Sequence, residues 1–323
     1  MDKLKRIGIT ALAGTLASVS AAQAGSMAVT GSAELSYVQK DSTEMTGNPI
    51  GMNKNLTFAG SGELDNGWTV SVSHALTDAA AWDASNITIG MGTLGTIIVD
   101  QSDGKDFGSA LDNVVPQAFE EADAGMDTGL KVSGSAIDDD GAITYKMPVF
   151  SGLQLGGSYQ PRSGAASNAD GATNEGIGKA GWEFAADWSP EMVPGLRVGY
   201  VNGTCEDCNA ASKDTDEETM FATYAYGPLS VGYQVAEIKN GTTTYDTDIY
   251  GVSFNVNDAL SVSYQYGETS GYGGSNNQSE YEGISAAYNI GPMAIKFTDN
   301  SGKNMNGTTN DDDNRELNLS MSF

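Results

Sequence analysis

The stretch Val29-Thr30-Gly31-Ser32-Ala33-Glu34-Leu35-Ser36-Tyr37 alternates strictly between two kinds of side chain. Val29, Gly31, Ala33, Leu35 and Tyr37 fall on one face of an extended strand, and Thr30, Ser32, Glu34 and Ser36 on the other. Successive side chains of a strand point to opposite sides, so this segment separates an apolar surface from a polar one. Leu56 and Phe58 continue the apolar face in a second segment, and Asp65-Asn66-Gly67 supplies a tight turn, since Asn-Gly accepts the positive φ angles of short hairpins. Trp68, Val70 and Val72 then resume the alternation, with Thr69, Ser71 and Ser73 between them.

The same grammar recurs in Ile87, Ile89 and Met91, then in Thr96 to Gln101, and in hairpins pairing Ala142–Met147 with Leu153–Gln160 and Gly181–Trp188 with Leu196–Asn202. Thr219–Tyr226 pairs with Leu229–Ile238, Ile249–Val256 with Leu260–Gly267, and Tyr281–Ile290 with Met293–Thr298; Arg315–Phe323 closes the chain. Sixteen strands are predicted, and at about 10 residues each they use about 160, leaving room for short turns on one side and longer loops on the other. An even number of antiparallel strands brings the last beside the first, and closure removes unpaired edges. The fold class is all-β: a 16-stranded antiparallel transmembrane barrel.

The chain has 323 residues, 16 basic and 42 acidic side chains, one His, two Cys and 41 Gly. This balance excludes a basic nucleic-acid binder, and so sparse a supply of His and Cys excludes a multi-histidine metal centre or a disulfide-dense scaffold. Met1 to Ala24 reads as a signal peptide: Lys3, Lys5 and Arg6 open it, an apolar run spans Ile7 to Val19, and Ala22-Gln23-Ala24 ends it. Removing Lys3, Lys5, Arg6 and Asp2 from the 16 basic and 42 acidic groups leaves 13 against 41 in residues 25–323, a net charge of −28. No later stretch is long and apolar enough for a membrane helix, which leaves a strand-built span open.

A secreted soluble all-β domain also alternates, with one buried and one wet face. The membrane reading is favoured by Ser, Thr, Gly, Asn and Gln at many inward positions and by aromatics near strand ends. Trp68, Trp182, Trp188, Tyr37, Tyr159, Tyr200, Tyr226, Tyr233, Tyr266 and Tyr281 are expected to form the girdles of a barrel, where a ring meets acyl chains and its polar tip meets water.

At this point the chain resembles the Gram-negative general porin family over essentially all of residues 25–323. Phe58-Ala59-Gly60-Ser61-Gly62-Glu63-Leu64-Asp65-Asn66-Gly67 is similar to the family's second strand and turn, and Tyr145-Lys146-Met147-Pro148-Val149-Phe150-Ser151-Gly152-Leu153 to its Y-x-S-P-x-F-x-G-L hairpin. Leu317 to Phe323 resembles the terminal strand read by the outer-membrane assembly machinery, with Phe323 as the signal residue. The resemblance implies a homotrimer in the cell outer membrane that passes small hydrophilic solutes, and a third external loop folded into each lumen. The longest interval between strands, about 102–140, fits that loop.

Between Ser102 and Asp127 this interval carries Asp103, Asp106, Asp112, Glu120, Glu121, Asp123 and Asp127 against Lys105 alone. The family's arginine cluster facing the loop is missing: Asn55 precedes Leu56-Thr57-Phe58, and Val99-Asp100-Gln101 stands where a G-R pattern is common. Lys54 shares the apolar side with Leu56 and is expected to snorkel at the rim. Parity turns Glu34, Glu183 and Asp187 inward, with Lys146, Arg197 and Lys296 as inward counter-charges. If Asp100 and the loop acids converge on a narrow wet passage, their field concentrates cations and opposes anions, and a cation-preferring pore is expected; solvated surface charge is the alternative.

No enzyme is expected, since one histidine, His74 on the apolar face, makes a poor start for a base beside a nucleophile. Cys205 and Cys208 are expected to form a local disulfide in an oxidising compartment. No cofactor is expected, although Ca²⁺ or Mg²⁺ on Asp311-Asp312-Asp313, on Asp138-Asp139-Asp140, or on Asp214 with Asp216, Glu217 and Glu218 stays open. A non-conducting barrel serving as adhesin or receptor is the rival function.

Overall fold

The computed structural model describes residues 26–40, 47–77, 82–101, 103–111, 113–132, 137, 140–162, 179–208, 213–273 and 276–323. The signal-peptide segment 1–24 lies outside them. Sixteen strands follow one another: β1 Ser26–Lys40, β2 Ile50–Glu63, β3 Thr69–Leu76, β4 Trp82–Gly90, β5 Thr96–Gln101, β6 Asp140–Lys146, β7 Leu153–Gln160 and β8 Gly181–Trp188 in the first half. The second half holds β9 Leu196–Cys205, β10 Thr215–Tyr226, β11 Leu229–Asn240, β12 Thr243–Asn255, β13 Leu260–Ser270, β14 Gln278–Ile290, β15 Met293–Lys303 and β16 Asp312–Ser322. Each pairs antiparallel with its sequence neighbours, and β1 pairs with β16 to close the barrel.

Closure runs from Ser32↔Ser322 to Lys40↔Asn314 and is extended by Phe323, whose N–H and C=O exchange bonds of 2.9 Å with Gly31. A side chain at Gly31 would collide with the Phe323 ring, its Cβ lying 2.7 Å from Cζ. The bare backbone there makes the seat for the terminal aromatic.

Burial is inverted relative to a water-soluble protein. Many of the side chains that escape solvent on the inner wall are polar: Thr219, Gln234, Thr247, Gln265, Thr269, Thr298, Asn300, Asn314 and Asn318 are all at most 2% exposed. Their strand neighbours on the opposite face are large and apolar, and Met220, Tyr250, Ile284 and Leu317 are each 46–51% exposed. Hydrogen-bonded groups inside and a continuous greasy surface outside suit lipid as the outer solvent. Trp182, Trp188, Tyr37, Tyr159, Tyr226 and Tyr233 stand on that exposed surface. Tyr281 does not: it is fully buried at 0% exposure, on the inward row with Gly283 and Ser285, because alternation counted from Ile284 turns it in.

Several strands run further than their alternation does. β10 begins at Thr215, β12 at Thr243 and β14 at Gln278, and β15 continues to Lys303. In these extensions both faces are polar, since neither meets hydrocarbon, while the ladder hydrogen bonds persist. Periodicity therefore marks the membrane-embedded centre of a strand and not its ends.

The hairpin between β6 and β7 turns through Ser151 and Gly152, both at positive φ (48° and 79°), closed by reciprocal Phe150–Leu153 backbone bonds of 2.9 Å. A Cβ on Gly152 would lie 2.0 Å from the Ser189 carbonyl oxygen. Left-handed backbone costs an ordinary residue about 1–2 kcal/mol before any clash, and this clash is with backbone that cannot swing away. Gly152→Val is expected to cut the yield of folded barrel severalfold, read as the heat-modifiable gel band after refolding into detergent; wild-type yield would contradict this reading of the turn.

Candidate functional site

The segment after β5 lies along the inner face of the barrel. Its backbone N–H groups donate to inward side chains strand after strand: Phe107 to Ser158 Oγ (3.1 Å), Gly108 to Glu183 Oε1 (2.8 Å), Val114 to Gln234 Oε1 (3.1 Å) and Ala118 to Ser263 Oγ (2.9 Å). Phe119 continues to Ser285 Oγ (3.1 Å), Ala122 to Gln265 Oε1 (3.0 Å), Asp127 to Asp312 Oδ2 (2.7 Å) and Lys131 to Thr269 Oγ1 (3.1 Å). In return the carbonyls of Glu121 and Ala124 accept from Asn300 Nδ2 at 2.9 and 3.1 Å. An irregular backbone buried at this depth needs a partner for each polar group, and the Ser, Thr, Asn and Gln of the wall supply them. Apolar seats assist: Phe107 and Leu111 pack with Ala185, Val201 and Phe221, and Ala122 with Tyr281 and Met305.

Among the described residues the loop covers the inner faces of β7 to β16. Across from it, Asn53 and Asn55 of β2 remain exposed, with Ser32 Oγ donating to Asn55 Oδ1 at 3.0 Å. Among the described residues, the inner wall that the loop leaves uncovered is the one built by the first strands.

The predicted acids divide into two groups. Asp100 and Asp106 are 1% and 0% exposed. Asp100 accepts the N–H of Asp103 (3.0 Å) and of Lys105 (2.6 Å), and Asp106 that of Ser109 (2.7 Å), so both shape the loop and neither meets the passage, contrary to the expectation from sequence. Glu183 is turned inward but is 3% exposed, held by Ser158 Oγ at 2.6 Å and Gly108 N at 2.8 Å. Asp103 accepts from Asn86 and lies 3.7 Å from Lys105 Nζ, and Asp123 Oδ2 accepts from Leu130 N at 2.8 Å. Asp127 is exposed, Glu120 and Glu121 are partly exposed, and Asp112 lies outside the described residues.

Each inward base of the prediction rests on a phenylalanine that sequence reasoning missed. Lys146 Nζ lies 5.1 Å from the Phe107 ring centre, Arg197 Cζ 5.1 Å from that of Phe221, and Lys296 Nζ 4.8 Å from that of Phe119. Arg197 also pairs with Asp187 through bonds of 2.9–3.2 Å, and Lys296 lies 3.8 Å from Glu34. Arg197 and Lys296 are thus each offset by a carboxylate, while the Phe107 face holds Lys146 without neutralising it.

Glu316, also missed, faces inward beside Glu34 and Glu120. Burial, followed by the charges of Glu316, Glu121 and Glu34, pushes the Glu120 carboxyl up to about 7, while Lys296 opposes this. An acid raised in this way gains its charge only as pH climbs through about 7. Cation preference is therefore expected to rise about fourfold between about pH 6 and pH 8, one charge at about 8 Å in water favouring a cation and opposing an anion by about 0.5 kcal/mol each. Zero-current potentials at the two pH values measure this, and Glu120→Gln is expected to flatten the dependence; a wild-type profile that is already flat would contradict it.

Not all the negative charge reaches the interior. Asp248 accepts from Tyr233 Oη, Glu268 from Tyr266 Oη (3.0 Å) and Glu282 from Tyr264 Oη (3.3 Å), all on the outward face of β11–β14. Lys54 likewise stands on the outward row, opposite Ala33. Cys205, at the end of β9, is joined to Cys208 by a disulfide with Cα atoms 5.6 Å apart. Among the described residues no group of three or more His, Cys, Asp or Glu is arranged to hold a metal ion, while Asp138 and Asp139 lie outside them.

A family model described as Gram-negative porin matches residues 8–299. No curated protein matches the sequence. Among solved structures, the anion-selective porin from Comamonas acidovorans is 14% identical, over 93% of this chain and 100% of that one, with a TM-score of 0.63. Salmonella typhi OmpF in complex with daunomycin is 12% identical over 93% and 98% (TM-score 0.65), and a mutant of Rh. blastica porin 14% identical over 92% and 100% (TM-score 0.66). At such identities the structural likeness speaks for the fold alone.

Proposed function

The chain belongs to the Gram-negative porin family, and from that premise we propose that it is a passive outer-membrane diffusion channel for small hydrophilic solutes that prefers cations. Family and fold support an outer-membrane channel without enzymatic activity. The preference rests on one observation: the inward bases Lys146, Arg197 and Lys296 are each engaged by a phenylalanine, two of them also by a carboxylate, while Glu34, Glu120, Glu121 and Glu316 gather where loop and wall meet. Low-dielectric walls strengthen that field, and no energy source is needed for solutes to move.

The same reading includes a signal peptide ending at Ala24, recognition of Phe323 by the assembly machinery, and a homotrimer surrounded by outer-membrane lipids. A receptor or adhesin would need a closed lumen, and the exposed Asn53 and Asn55 opposite the loop favour an open one. Purified protein added to a planar bilayer in KCl is expected to give stepwise ohmic conductance, and proteoliposomes to swell in small sugars. An absence of both would end the channel reading in favour of the receptor.

A further inference from the structure

Where β1, β15 and β16 meet the loop, one ammonium sits among several carboxylates. Lys296 Nζ is 3.8 Å from Glu34 Oε2 and 4.8 Å from the centre of the Phe119 ring. Glu316 accepts from Asn318 Nδ2 at 3.2 Å, and Asn318 stands directly across the ladder from Lys296. Glu120 interacts with Glu316, Glu121, Glu34 and Lys296. One positive charge does not neutralise this group.

Asn318 adds an independent sign. Its side chain is fully buried at 0% exposure, and its Oδ1 has no hydrogen-bond partner. The bond from Nδ2 to Glu316 fixes the amide orientation, so the spare acceptor belongs to the residue paired across the ladder with Lys296, and a buried oxygen without a donor is costly. Carboxylates, an amide oxygen and an aromatic face together recognise an ammonium group. Hard divalent ions need six or more oxygens, and among the described residues no three His, Cys, Asp or Glu side chains are arranged to hold a metal ion.

We propose that Glu34, Glu120, Glu316, Asn318 and Phe119 form an ammonium-binding subsite in the passage, with Lys296 as its tethered occupant, displaced by small organic cations that carry a primary amine. This rests on the channel reading above. Lys296 and Glu34 side chains are 26% and 31% exposed, so the occupant is reachable from water and free to swing aside. A tethered competitor acts at high effective concentration and weakens apparent binding of the free amine.

n-Butylammonium reproduces the lysine side chain and is the probe. Its half-blocking concentration on single-channel KCl current is expected to fall about tenfold in Lys296→Met and to stay near wild type in Lys296→Arg. Adding Glu34→Gln and Glu316→Gln to Lys296→Met should raise it again by about tenfold, and adding Phe119→Leu to Lys296→Met by about threefold; Lys296→Gln, which also removes the tethered ammonium, should match Lys296→Met and keeps the idea testable if Lys296→Met folds poorly. A Lys296→Met or Lys296→Gln channel that conducts KCl but blocks at the wild-type concentration overturns the subsite alone. No KCl conductance from the wild-type protein overturns the channel and the subsite together.

Discussion

Replacing Glu34, Glu120 and Glu316 together by glutamine is expected to abolish the preference for cations. These carboxylates share one junction of loop and wall with Lys296, and no free base balances them there. A unit charge about 8 Å from a passing ion contributes about 0.5 kcal/mol at the dielectric of water and about 2 kcal/mol at an effective value of about 20. Three such charges, even at the lower figure, favour cations about tenfold and oppose anions about tenfold, so the cation-to-anion permeability ratio is expected to fall by about a hundredfold without them. Glu121 and Lys296 then remain as one charge of each sign, so the ratio is expected to fall to about unity. Zero-current potentials in a KCl gradient check this; an unchanged ratio would assign selectivity to acids elsewhere, such as those on the outer loops.

Glu183→Leu is expected to free the start of the loop. The carboxylate is 3% exposed and accepts from Gly108 N and Ser158 Oγ, while Ser158 Oγ also receives the N–H of Phe107. Hydrogen bonds to a charged group are worth about 1.5–3 kcal/mol each, so about 3–6 kcal/mol of local fastening disappears and two backbone donors lose or weaken their anchors. Phe107 carries Lys146 on its ring, so its release also uncovers a cation. The expected result is at least a tenfold rise in open-channel current noise and protease cleavage within residues 103–111. Glu183→Gln, which keeps an acceptor, should show a smaller effect. A quiet, protease-resistant Glu183→Leu channel would mean that the apolar contacts of Phe107 and Leu111 suffice.

How far the sequence could be read follows from what alternation reports. It located the centre of every strand, because the apolar row must face lipid and period two leaves no freedom there. It lost the strand ends, as at Thr243 of β12, where both faces leave the hydrocarbon and polar residues stand on both sides. Parity also placed Glu34, Glu183, Asp187, Lys146, Arg197 and Lys296 inward, and applied to Tyr281 it would have removed that residue from the girdle.

The loop was legible as a charge and not as a shape. Seven carboxylates between Ser102 and Asp127 look alike in sequence, yet Asp106 caps a turn out of reach of solvent while Glu120 stays at the passage. That difference depends on which wall side chains receive the loop backbone, and these are set by pairings such as Ala118 with Ser263, 145 residues apart. Phe107, Phe119 and Phe221 escaped notice for the same reason: a base and its aromatic seat come from different elements. Glu316 needed only a parity count along β16, where it shares the inward row with Asn314 and Asn318.

The most direct test is the zero-current potential of the wild-type protein across a planar bilayer, with concentrated KCl on one side and dilute KCl on the other. An open channel dominated by the Glu34, Glu120 and Glu316 junction lets potassium run ahead of chloride, and the dilute side is expected to become positive. A dilute side that turns negative would contradict an anionic passage.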